Sequence, residues 1–312
     1  MKLFGNVTVA IDVSGGERLV GRDGLLSPAS RGALEQAVWL ARREGAKLHV
    51  LNSIDVEARS ETLIRREFAA GADCVLRAAR RRMDEIVEPL RASGLSVTSE
   101  VTFGRAPSVV LDDVARNGRD LVVVGTRERG AVARNLLGST ALQLLRRCPV
   151  AVWVARSAPS AEIGVVVAPV DVGDMAAAIL RAAASIAEGA HARLLVVHAL
   201  DPAYERVLRM GGLGAAEVDV ASSARRNDAQ ETIERMVREA APGTRRVEVR
   251  VVPGDPADVI LAEAGQAHAD LVVMGSVVHG LVRGVFLGST AENVLLHLAT
   301  SLLVVKPPAA TA

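Results

Sequence analysis

Short uninterrupted apolar runs recur along the chain, separated by longer stretches in which apolar residues return every three or four positions. Runs such as 121–125 (LVVVG) and 271–275 (LVVMG) have the pattern of central parallel strands, buried on both faces. In the first half the pattern predicts strands at about 6–12, 47–52, 95–103, 121–124 and 150–155, with helices at 30–44, 61–92, 107–116 and 139–147. The helix at 30–44 places Ala33, Leu34, Ala37, Val38 and Ala41 on one face, begins near Ser30 and stops at Gly45. Pro107 suits the first turn of its helix. In the second half strands are predicted near 164–170, 194–199, 246–252, 271–274 and 301–305, and helices near 174–189, 217–240, 256–267 and 290–298. Repeated strand–helix alternation of this kind gives an open α/β sheet with helices on both faces.

The pattern is written twice. DLVVVGTRERGAVARNLLGST at 120–140 and DLVVMGSVVHGLVRGVFLGST at 270–290 align at one constant offset: Asp120 with Asp270, Gly125 with Gly275, Gly130 with Gly280 and Gly138-Ser139-Thr140 with Gly288-Ser289-Thr290. Gly104 and Gly254 share that spacing. Solenoid repeats run about 20–50 residues, so a repeat this long means duplicated domains. The expected domains are 1–156 and 163–312, joined where Ser, Ala and Pro break the pattern. A chain of 312 residues accommodates two domains of about 150 residues each.

Composition narrows the function. Half the residues are hydrophobic but only 2% are aromatic, so the cores rest on Val, Leu, Ile and Ala. With 37 basic and 36 acidic residues, no net field draws the chain to nucleic acid or an anionic membrane. No window reaches eighteen consecutive apolar residues, so no membrane span is expected. Cys74 and Cys148 read as inert thiols in a reduced compartment, and a cytoplasmic protein is expected. The histidines show no metal-ligand spacing, so no metal site is expected, and no catalytic set can be assembled. His279 in the second glycine loop fits either a ligand contact or an exposed loop residue. The Arg-rich run at 76–91 reads as a solvated helix face.

In open α/β sheets a ligand binds outside the carboxyl ends of the strands, where strand order reverses. There, a glycine loop and the next helix N-terminus can present backbone N–H groups to an anion. Ser289 and Glu292 have capping-box spacing, which such a helix needs with or without a ligand. A strand of the DLVVMG type, a glycine loop and then Gly-Ser-Thr together resemble the universal stress protein family. VTVAIDVS (7–14), GDPADVI (254–260), GSTAENVL (288–295) and SLLVVKP (301–307) fall where that family has its matching segments. The resemblance covers nearly the whole chain, once per half, and points in particular to the tandem branch typified by universal stress protein E.

The resemblance implies two doubly wound parallel five-stranded sheets of order 3-2-1-4-5, adenine nucleotide alpha hydrolase-like, in tandem. It implies ATP or AMP between the first and fourth strands, and a non-enzymatic stress-response role. The two last strands, 150–155 and 301–305, are expected at a pseudo-two-fold internal dimer contact, with room for a further homodimer. The implied nucleotide contacts are Asp12, Gly125, Gly130, Gly138, Ser139 and Thr140 in the first half. In the second they are Gly275, Gly280, Gly288, Ser289 and Thr290. Asp12 reads equally as a residue that ends a strand and starts a turn.

The family's nucleotide binders carry a second loop glycine, and here that position holds Glu128 in one half and Val278 in the other. Glu128 sets a carboxylate beside phosphates, while β-branched Val278 resists positive φ and blocks close backbone approach. In the second half the acidic residue after the first strand reads as slipped by one, with Pro169 and Val170 before Asp171. Ser14-Gly15-Gly16 begins like an ATP-pyrophosphatase loop, but Glu17-Arg18 replaces its Asp-Ser, and a long surface connection fits better.

Overall fold

The computed structural model describes residues 2–13, 26–55, 71–126, 138–156, 163–276 and 288–307. The chain divides into two compact units, Met1–Ala161 and Glu162–Ala312. Unit 1 contains β1 (Asn6–Ala10), α1 (Pro28–Glu44), β2 (Lys47–Ile54), α2 (Gly71–Ala92), β3 (Val97–Phe103), α3 (Ala106–Asn117), β4 (Leu121–Gly125), α4 (Ser139–Arg147) and β5 (Ala151–Ala155). Its strands are parallel and ordered β3-β2-β1-β4-β5, as expected.

Unit 2 repeats that plan with β6 (Val165–Pro169), α5 (Ala176–Ala190), β7 (Arg193–Leu200), α6 (Ala203–Met210), α7 (Ala215–Ala240), β8 (Val247–Pro253), α8 (Pro256–Gln266), β9 (Leu271–Gly275), α9 (Ser289–His297) and β10 (Ser301–Val305). Its order is β8-β7-β6-β9-β10, again all parallel. In each unit the order reverses between the first and fourth strands, which fixes the place where a ligand crevice can open.

Local chemistry explains the element ends. α1 starts at Pro28 rather than near Ser30, because the Ser27 hydroxyl caps it by accepting from the Ser30 N–H. It ends on Gly45 at φ 58°, a left-handed cap that glycine adopts without strain. α8 is capped by Asp255, whose carboxylate accepts from the Ala257 and Asp258 N–H groups. Gly104 and Gly254 turn the third strand of each unit into its helix at φ 139° and 153°. A Cβ there would also lie 2.9 and 2.8 Å from the Val109 and Val259 methyls, so the matched glycines are structural.

The repeated Asp of the DLVV motif is structural too. Asp120 accepts from the Gly5 and Asn6 N–H groups, and Asp270 accepts from those of Gly164 and Val165. Each carboxylate thus pins the entry of its unit's first strand, at the sheet end opposite any ligand.

Unit 1 holds a buried polar network. Asp113 on α3 is 1% exposed and takes hydrogen bonds from Thr8 Oγ1 at 2.5 Å, Asn117 Nδ2 at 2.7 Å and the Arg119 guanidinium at 2.9 Å. Burial pushes its pKa up, but the Arg119, Thr8 and Asn117 hydrogen bonds outweigh that and hold it below the usual carboxylate value. His49 on β2 stands beside this group. Its Nδ1 meets Thr98 Oγ1 at 2.8 Å, and its Nε2 is 3.8 Å from Asp113 and 4.0 Å from Glu100.

Candidate functional site

The reversal point of unit 1 is bounded by the last residues of β1 and β4 and the first turn of α1. Asp12 follows β1, and its backbone N–H donates to Ser30 Oγ at 2.9 Å, stitching the strand end to the helix start. Gly125 closes β4 directly beneath that turn. A Cβ on Gly125 would lie 2.2 Å from the Ala29 carbonyl oxygen, so helix and strand approach too closely for any other residue. The glycine that reads as a ligand contact in the sequence therefore has a packing reason of its own.

Beyond β4, Thr126 is buried and its N–H bonds the Ala155 carbonyl. The chain is described again at Gly138, the N-cap of α4, with Ser139 and Thr140 as its first two helical residues. No side chain caps this helix, and the same holds for Gly288, Ser289 and Thr290 at the start of α9. The expected Ser289–Glu292 capping box is therefore corrected. Gly288 takes the cap position, which moves Ser289 one residue inside the helix, and the Glu292 N–H bonds the Gly288 carbonyl at 2.8 Å. Among the described residues neither cap offers a side chain to the first-turn N–H groups, an arrangement that can favour an anion. Gly130 and Gly280, with Glu128, Val278, His279 and the Ser14-Gly15-Gly16 segment, lie outside the described residues.

Unit 2 differs at the same place. Gly275 would direct a Cβ at the Ile179 side-chain tip, 3.2 Å away, rather than at backbone. β1 and β4 pair from Val7–Leu121 through Ala10–Val124, whereas β6 and β9 pair only at Val166–Leu271 and Val167–Val272. Pro169, which has no N–H, ends β6 where that pairing is lost. The register also removes the expected slip. Ile11 N–H bonds Leu51 O and Val170 N–H bonds Val197 O, so Asp171 occupies the position of Asp12 with no displacement. Asp171 is exposed, and its carboxylate accepts from the Val172 N–H at 2.8 Å.

At this place each unit has a polar residue that the sequence reading passed over. Asn52 Nδ2 donates to the Ile11 carbonyl at 3.0 Å, and at the matching position His198 Nδ1 lies 2.9 Å from the Val170 carbonyl. Asn52 is 2% exposed, and its Oδ1 has no hydrogen-bond partner among the described residues. The available signal was a polar residue near the end of an otherwise apolar strand in each half.

The model of the universal stress protein family matches residues 18–156 and again 162–306. The chain belongs to the universal stress protein family. Universal stress protein E of Escherichia coli K12 is 25% identical over 291 residues, covering 88% of this chain and 89% of that protein. A universal stress protein of Mycobacterium tuberculosis H37Rv is 32% identical over 215 residues, 66% of this chain and 67% of its own. Among solved structures, a universal stress protein from Pseudomonas aeruginosa UCBPP-PA14 superposes with a TM-score of 0.68 at 22% identity, covering 97% of this chain and 94% of that one. One from Archaeoglobus fulgidus gives 0.65 at 19%, covering 96% and 98%. The similarity to the Escherichia coli protein and to both structures runs through both units, and the likeness to the structures is one of fold. No helix among the described residues is long and apolar enough to cross a membrane.

Proposed function

We propose that this tandem universal stress protein is a non-enzymatic, stress-associated binding protein whose two nucleotide-type loops hold adenine nucleotide weakly. The observation that carries this reading is the pair Glu128 and Val278 at the position where nucleotide-binding members have glycine. One opposes phosphate by charge and the other by backbone restriction and bulk. The retained glycines do not offset this, because Gly125 is required by α1 packing whether or not phosphate binds.

A second reading, an ATP- or AMP-responsive regulator, draws support from unit 2. There the strand pairing ends early, Asp171 stands in register with Asp12, and α9 begins without a side-chain cap.

Calorimetric titration with Mg-ATP and with AMP separates the two. The first reading expects no micromolar binding to the wild-type chain, and micromolar binding would replace it with the second. Glu128→Gly is expected to gain about 1–3 kcal/mol of ATP affinity, the size of one charge-assisted contact. Val278→Gly removes bulk but no charge and is expected to gain less.

A further inference from the structure

One dipeptide carries a reactivity of its own. Of the six asparagines only Asn117 precedes a glycine, and that pair ends α3. An asparagine loses its amide spontaneously when the next backbone nitrogen reaches its side-chain carbonyl carbon. Glycine, which has no Cβ, obstructs that approach least. Asn117 is also exposed, so water has access to it.

The fold holds the reaction off. Asn117 is the last helical residue of α3, and its Nδ2 donates to Asp113 Oδ1 at 2.7 Å. Asn6 Nδ2 donates to the Asn117 and Gly118 carbonyls at 2.9 and 3.1 Å, tying this turn to the start of β1. Ring closure takes the amide away from Asp113 and the backbone out of the helix. These bonds must break first, so the chain reacts where it has opened.

The same amide sits where its loss matters most. Asp113 is 1% exposed, and the Arg119 guanidinium that forks onto it is itself buried against it, at 3.0 and 2.9 Å. A carboxylate at 117 sets negative charge where Asp113 now receives a donor. It also stands at a helix C-terminus, which favours the opposite charge. An isoaspartate adds a methylene to the main chain between Asp113 and Arg119 and so shifts one against the other. By the constant spacing, unit 2 has Ala267 and His268 at these positions and no amide to lose.

We propose that Asn117 is a deamidation site gated by the opening of unit 1, and that its products leave unit 1 easier to open. In the opened chain the Gly118 nitrogen bonds to Asn117 Cγ as the Cγ–Nδ2 bond breaks, and ammonia leaves with the Gly118 N–H proton. Water then opens the cyclic imide at either carbonyl, leaving aspartate or isoaspartate. Neither reverts to asparagine on refolding. Each opening that reacts therefore leaves a permanent mark and favours the next.

Peptide mapping of the full chain tests this, after incubation at one mildly alkaline pH with and without enough urea to unfold unit 1. Fluorescence sets that urea concentration, since Trp39 and Trp153 both lie in unit 1. A peptide of residues 112–122 in the same two buffers corrects for urea itself. Asn117 is expected to lose its amide faster in the unfolded chain by about tenfold or more. Asn117→Asp is expected to lower the urea midpoint of unit 1. Asn117→Ala, which loses the donor but gains no charge, is expected to lower it less, and a folded Asn117→Ala beside an unfolded Asn117→Asp meets the same expectation. Equal deamidation rates in the folded and unfolded chain overturn the proposal, as does an intact Asn117 after unfolding. An Asn117→Asp chain as stable as Asn117→Ala overturns it too.

Discussion

Both units bury a carboxylate on the helix before their fourth strand, and each neutralises it from a different place. Asp113 is enclosed by Thr8, Asn117 and Arg119, with His49 beside it. By strand register and the constant spacing of the later elements, the matching positions of unit 2 hold Val167, Ala267, Ala269 and Leu195. Every polar neighbour is gone, yet Glu263 stands where Asp113 does, and it finds Arg250 at 2.8 Å on the edge strand β8. Arg250 occupies the position of Glu100 in unit 1, so the edge strand carries opposite charge in the two units. Glu263 and Glu248 together hold the Arg250 pKa above its ordinary value. What the duplicated fold requires is a compensated carboxylate; which element supplies the cation is free to change. A shorter acid is served from inside, and a longer one reaches the rim.

Breaking each pair should expose that difference. Arg119→Ala leaves a 1% exposed carboxylate without its cation and is expected to cost unit 1 about 3–5 kcal/mol. Arg250→Ala leaves the 7% exposed Glu263 without its cation, but the arginine it loses is 35% exposed at the rim, where water can take its place, and about 1–2 kcal/mol is expected. Trp39 and Trp153, the only tryptophans, both lie in unit 1, so urea unfolding followed by fluorescence reads that unit alone. Circular dichroism follows both units. Equal losses in the two variants would mean that depth does not distinguish the pairs.

The loop glycines make a second contrast, smaller in energy. Gly125→Ala drives a methyl into the Ala29 carbonyl, which yields only if the α1 backbone moves, and about 2–3 kcal/mol of destabilisation is expected. Gly275→Ala meets a flexible Ile179 tip and is expected to cost under about 1 kcal/mol. The same unfolding measurements rank the two. A neutral Gly125→Ala would show that the close approach to α1 is not a constraint.

The frame of both units was legible from hydrophobic period alone, because central parallel strands announce themselves as unbroken apolar runs and covering helices as three-to-four spacing. What failed was local and had local causes. α6 was missed since eight residues give barely two turns of periodicity, even though Asp201-Pro202 and Gly211-Gly212 bracket it with start and stop signals. Ser30 was read as the start of α1 where Ser27 is the cap, because serines three apart compete for that position. Asp171 was read as slipped because Ala168 matches Ala10 by residue type, whereas the register sets Pro169 in that place. The connection from β1 to α1 is longer than that from β6 to α5, so the offset between the units differs at their first strands. At the candidate site the spacing of Gly125 and Gly138 was plain. That α1 packs its backbone onto Gly125 was not, since it depends on contact across about a hundred residues.

The finest test of the contrast is acid. His49 is buried, and that burial pulls its pKa below the ordinary value; Arg119 lowers it further, while Asp113 and Glu100 oppose the shift. The unfolded chain takes up this proton at about pH 6.5, before the folded chain does, so protonation favours unfolding. The contribution of neutral His49 is therefore complete above about pH 6.5 and is lost as pH falls from there to the lower folded value. Asp113, whose pKa is also lowered, keeps its contribution until the pH drops below about 4, so the two losses begin at different pH. Unit 2 carries Leu195 at the position of His49 and has no such step from this position. His49→Leu gives unit 1 the residue of its twin. Tryptophan-detected unfolding of that variant is expected to lose the pH dependence just below 6.5 and to keep the one below 4. If the upper step survives the substitution, a group other than His49 is taking up the proton.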